Sequence, residues 1–160
     1  MKLNEKLTEL NFNERKLELN KDYTKEYFTF NREAAITALC FLIDNATSLV
    51  EIFHKPISNK FDNQIIESLR NNKKIKIKYY TNITSKKDTT MIEECLGNRV
   101  EIIDLNLGEN KIYHHKEMVI DNKFTIITTL NFMTNTIFED INHKNFYLEN
   151  FSIWIKRRER

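Results

Sequence analysis

From Glu26 onward, segments with apolar residues at every second position alternate with segments whose apolar residues recur every three or four, and this alternation constrains the fold most. A chain that switches between the two periods builds a sheet with helices packed on it. A short strand is expected over 27–30, then a helix capped by Asn31 and running to about Asn45, with Ala35, Leu39, Leu42 and Ile43 near helical spacing. A strand from Leu49 to His54 stops before Pro56, which a central strand could not readily accommodate. Ser58 is placed to cap a helix carrying Phe61, Ile65, Ile66 and Leu69, which ends at Asn71-Asn72. Ile75, Ile77 and Tyr79 alternate with lysines as a strand with one wet face, and a helix over 86–96 stops at Gly97-Asn98. A short strand over 99–104, a hairpin over 113–130 and a last strand over 146–155 complete the pattern.

At 160 residues, with only two Gly and one Pro, the chain holds one full-sized domain and few flexible linkers. That domain is read as 25–160; residues 1–24, where Leu3, Leu7 and Leu10 suggest a helical turn or two and Leu17 and Leu19 suggest alternation, are read as an extension or cap. No apolar run approaches the roughly 20 residues of a membrane helix, and the first residues lack a signal-peptide core, so a cytoplasmic protein without a membrane partner is expected. Cys40 and Cys95 are isolated within helical patterns and read as small buried hydrophobes. A net charge of +2 leaves the partner open.

Chemistry concentrates on the hairpin. It reads His114-His115-Lys116, four residues, Asp121, six residues, then Thr128-Thr129-Leu130-Asn131. Asp121-Asn122 tolerates the positive φ of a tight turn, so two strands meet there. Strand alternation puts His114 and Lys116 on one face, Thr129 and Asn131 also share a face, and His115 points away. Two such pairs can converge on one substrate group. Cleaving a phosphodiester needs a nucleophile, a proton for the leaving oxygen and donors around the phosphoryl oxygens. Glu93 and Glu94 are adjacent but face different ways, and no compact carboxylate cluster appears, which favours a route without metal. His54 reads more readily as an ordinary loop or half-buried histidine than as a residue bordering the site, His143 reads as solvated, and Lys74, Lys76 and Lys78 more readily as a solvated strand face than as a contact to an acidic backbone.

The spacing resembles the His-x-Lys-x4-Asp signature of the phospholipase D superfamily, whose tail usually reads Gly-Ser-x-Asn where this chain has Thr-Thr-Leu-Asn. The resemblance implies a phospholipase D-like α-β-α sandwich with a mixed central sheet and helices on both faces. It implies His114 as the nucleophile that forms a phosphohistidine, with Lys116 and Asn131 binding phosphate and Thr129 offering a hydroxyl. Thr128 adds a side chain where the family has Gly. Asp121 matches a supporting residue, and Glu149 resembles the acidic residue that orients the histidine in the small single-motif bacterial endonucleases. Because that chemistry uses two motifs and this chain has one, the resemblance further implies a homodimer with one shared site. No cofactor is called for, and DNA or RNA is the expected substrate. The alternatives are a catalytically degenerate module that binds nucleic acid or protein and, more distantly, a phospholipid hydrolase.

Overall fold

The computed structural model describes residues 1–15, 21–56, 63–132 and 148–157. Its elements follow the order α1 (Leu3–Glu9), β1 (Asn13–Arg15), β2 (Tyr23–Thr29), α2 (Arg32–Asp44), β3 (Leu49–His54), α3 (Asn63–Asn71), β4 (Lys76–Thr81), α4 (Lys86–Leu96), β5 (Val100–Asp104), β6 (Lys116–Ile120), β7 (Phe124–Thr128) and β8 (Phe151–Lys156). The eight described strands form one sheet in the order β1-β2-β8-β7-β6-β3-β4-β5. It is a mixed sheet: β3, β4 and β5 run parallel, joined by the crossover helices α3 and α4, and every other neighbouring pair is antiparallel.

Local chemistry starts and stops the helices where the sequence suggests. The Asn31 side chain accepts the Ala34 N–H at 3.1 Å and caps α2. Ser85 and Asp88 form a capping box at the start of α4, and Gly97, at φ 80°, takes the left-handed conformation that ends it. Three side chains then occupy carbonyls that the helices leave unpaired at their C-terminal ends. Asn72 donates to Ile43 O and Ala46 O beyond α2, Arg70 to Cys95 O and Glu94 O of α4, and Arg99 to Leu69 O, Asn72 O and Ile75 O around the end of α3.

Helix α2 contacts α1 and α3, and α3 contacts α4, so the four described helices form one row on one face of the sheet. Beneath them Ala35, Leu39 and Ile43 of α2 and Ile65 and Leu69 of α3 meet Val50, Ile52, Ile77, Met118, Ile126 and Ile153 of the strands in a single core. The opposite face carries Glu51, Phe53, Lys78 and Tyr80, and no helix covers it among the described residues. Strand alternation is clearest in β3 and β4, where Val50, Ile52, Ile77 and Tyr79 are buried and their neighbours half-buried or exposed.

The structure also departs from the sequence reading. Leu7 and Phe12 of the N-terminal segment are buried in the core, and β1 pairs with β2, which begins at Tyr23. Residues 113–115 and 129–130, expected in the hairpin strands, lie outside β6 and β7. Cys40 and Cys95 are half-buried rather than buried. Ser58, Phe61, His143 and the expected start of the last strand at 146 fall outside the described residues.

Candidate active site

Antiparallel pairing gathers the chemistry at one end of the sheet. The C-terminal end of β3 lies beside the start of β6, with His54 opposite Lys116, and the end of β7 lies beside the start of β8, with Thr128 opposite Phe151. Phe151 in turn faces Thr29 at the end of β2, just before α2. Of the residues singled out from sequence, His114, Lys116, Thr129, Asn131 and Glu149 belong to this end.

The Lys116 ammonium donates to His114 Nε2 at 3.1 Å. An ammonium has no lone pair, so in this contact Nε2 is the acceptor and the ring N–H is on Nδ1. Burial and the neighbouring Lys55 cation push the Lys116 pKa below its ordinary value, and Glu149 opposes them. Thr129 Oγ1 donates to Glu149 Oε2 at 2.7 Å and accepts the Asn150 N–H at 2.9 Å. The other carboxylate oxygen of Glu149 lies 3.8 Å from the Arg32 guanidinium. Glu149 is therefore anchored by Thr129 and Arg32, and His114 is not its hydrogen-bond partner within the protomer.

Thr128, the residue in place of Gly, has its hydroxyl engaged: it donates to Asn150 O at 2.6 Å and accepts the Leu130 N–H at 2.8 Å. The β-branched side chain thus closes the turn after β7. Asn131 follows, and its Oδ1 is buried with no hydrogen-bond partner among the described residues. A buried acceptor without a donor costs about 1–3 kcal/mol, so this atom is available to a donor arriving with a ligand or water.

Asp121 is the exception. It sits at the far end of β6, about 17 Å from Lys116 at roughly 3.3 Å per strand residue. Its carboxylate accepts the Thr47, Ser48 and Leu49 N–H groups at 2.8, 2.8 and 3.0 Å and both hydroxyls of Thr47 and Ser48. Burial raises its pKa, but these bonds together outweigh burial and hold the carboxyl below its usual range. Asp121 clamps the β6–β7 turn onto the loop before β3, and it lies away from the other residues singled out from sequence. His115 points to the other face, as expected, bonded to Glu117 at 2.6 Å.

Two residues at this end, Lys55 and Arg32, escaped the sequence reading, and a third, His54, is less ordinary than its sequence context suggests. His54 is fully buried rather than half-buried or in a loop, with Nδ1 donating to Lys55 O at 3.1 Å and its ring 5.1 Å from that of Phe132. Burial lowers its pKa to about 4, with Lys116, Lys55 and His114 adding to the effect. Its Nε2 has no partner among the described residues. Lys55 and Arg32 are ordinary surface cations in sequence, and only the strand order brings them beside Lys116 and Glu149. Among the described residues, no three His, Cys, Asp or Glu side chains group as metal ligands. No described helix is long and apolar enough to cross a membrane.

The mixed sheet, its helices and the placement of the hairpin define a phospholipase D-like fold. Nuc from Salmonella typhimurium, a phospholipase D family member, superimposes with a TM-score of 0.57 at 15% identity, over 82% of this chain and 82% of that one. NucT from Helicobacter pylori superimposes with a TM-score of 0.56 at 17% identity, over 82% of this chain and 85% of that one. No family profile and no curated protein matches the sequence.

Proposed function

We propose that the protein is a metal-independent phosphodiesterase, a nuclease acting on DNA or RNA through a phosphohistidine at a site shared by two copies. The observation that carries this reading is the His114 Nε2–Lys116 contact at the same sheet end as Thr129, Asn131 and Glu149. In the reaction, His114 Nε2 attacks phosphorus; the N–P bond forms as the P–O bond to the leaving alkoxide breaks. Lys116 and the Asn131 amide hold the phosphoryl oxygens as negative charge grows there. His114 of the partner subunit gives the alkoxide its proton, then takes one from the water that displaces the phosphate from nitrogen. A two-fold axis supplies that second histidine, because an isologous interface brings equivalent residues together. Glu149, fastened by Thr129 and Arg32, sets a carboxylate beside the site to favour its cationic forms.

The test is cleavage of single- and double-stranded DNA and RNA in excess EDTA, with sedimentation to read the assembly. Cleavage that persists in EDTA and disappears in His114→Ala supports the reading; a strict need for added Mg²⁺, or full activity as a monomer, overturns it. One observation favours a second reading, a degenerate domain that binds nucleic acid or protein: no carboxylate bonds the His114 ring among the described residues. In that case His114→Ala leaves binding unchanged and no cleavage is seen.

A further inference from the structure

Next to the His114–Lys116 pair, the loops after β3, β4 and β5 line an open cleft of about 390 Å³, within the size range of small-ligand sites. One wall is apolar, formed by Pro56, Ile112 and Tyr113; Thr84 and Asn110 supply hydroxyl and amide groups. The Tyr113 ring is held by His115, with centroids 5.7 Å apart. The cleft is preformed: buried Asn82 accepts the Leu107 N–H and donates to Gly108 O and Lys111 O, pinning the loop that makes the far wall. Two residues join cleft and site. Lys55 lines the cleft and also faces Lys116 and His54, and Tyr113 immediately precedes His114.

We propose that this cleft binds the nucleoside next to the scissile phosphate, its base against Tyr113 and Ile112 and the following phosphate between Lys55 and Lys111. The inference rests on the nuclease reading and adds to it the place where the nucleoside flanking the cut is held. An aromatic–aliphatic wall takes any base by its flat face, and amide and hydroxyl groups meet its edge without demanding one sequence. Two lysines against the single carboxylate of Glu109 disfavour the cationic headgroup of a phospholipid and favour a second phosphate.

The experiment combines Lys111→Glu with Ile112→Asp, both on exposed residues, Ile112 being 85% exposed, so folding is preserved. Kinetics are measured on a single-stranded decanucleotide and on bis(p-nitrophenyl) phosphate, a phosphodiester without nucleosides. The expected result is a KM about ten-fold higher for the oligonucleotide, the effect of losing one base contact, with kcat unchanged and both constants for the small diester within about two-fold. Equal losses on both substrates, or no change on the oligonucleotide, overturn the assignment. Failure of the catalytic reading is recognised separately, as no turnover of either substrate by the wild-type protein. Fluorescence anisotropy of the labelled oligonucleotide then decides: about ten-fold weaker binding by the variant supports the cleft, equal binding refutes it. Turnover of phosphatidylcholine vesicles but not of oligonucleotide also refutes it.

Discussion

Removing the Asp121 carboxylate tests whether this residue serves the fold or the chemistry. In Asp121→Ala, the N–H groups of Thr47, Ser48 and Leu49 lose their acceptor, while the two hydroxyls can turn to water. The loop is partly solvated, so each stranded N–H falls at the low end of the usual penalty, about 1 kcal/mol, giving a loss of about 3 kcal/mol. For a chain of this length that lowers the melting temperature by roughly 6–12 °C. Asp121→Asn keeps one oxygen, able to serve Ser48 and Leu49, but sets its amide against the Thr47 N–H, for a loss of about 1–2 kcal/mol. The depressed native pKa fixes the sign of the pH dependence. The aspartate's advantage over asparagine is present above the unfolded pKa of about 3.9 and disappears as pH falls through the lower native value. Urea unfolding of the three proteins from pH 7 to pH 3 measures this, with an unchanged slope and a shifted midpoint expected. Phosphodiester cleavage per folded molecule should match wild type, since the group lies about 17 Å from Lys116. Unchanged stability with lost turnover would refute the reasoning and return Asp121 to the catalytic machinery.

Arg99→Lys should cost about 2 kcal/mol in denaturant unfolding, because one ammonium cannot replace a guanidinium fork that reaches Leu69 O, Asn72 O and Ile75 O together. His54→Phe should remove an acid sensitivity: with a native pKa of about 4 against about 6.5 unfolded, the wild-type protein loses up to about 3 kcal/mol between pH 6.5 and 4, read as the difference in unfolding free energy between the two proteins. Arg32→Ala should leave stability within about 1 kcal/mol, as expected for a half-exposed ion pair. It should nevertheless slow phosphodiester cleavage by about ten-fold as Glu149 loses its orientation, measured as kcat at saturating oligonucleotide.

The parts legible in the sequence are those set by neighbours along the chain. Asp121 and Asn122 adopt φ of 53° and 50°, the turn conformation their side chains tolerate. The cap at Asn31 and the stop at Gly97 were equally local. Sheet order was not legible, because β2 meets β8 across more than a hundred residues and no periodicity encodes that pairing. The burial of His54 depends on β6 beside it and on Phe132 over its ring, and the reach of Arg32 to Glu149 depends on β2 meeting β8. Residues 113–115 carry a strand-like pattern, yet Tyr113 is spent on the cleft wall and on His115 instead of a ladder.

The spacing of the motif now has a physical meaning. Lys116 opens β6 and Asp121 opens the turn that follows Ile120, so the four residues between the two are the rest of the strand itself. Asp121 grips the three residues that lead into β3, which pairs with β6, and that grip sets the register placing Lys116 opposite His54. A single residue inserted between Glu117 and Ile120 would leave Asp121 clamped and turn the Lys116 side of the strand toward the uncovered face. Lys116 and His114 would then leave Thr129, Asn131 and Glu149 for the side of Phe53 and Tyr80. The lysine and the aspartate are tied to one spacing by the geometry of the strand that separates them, with no need for the two side chains to meet.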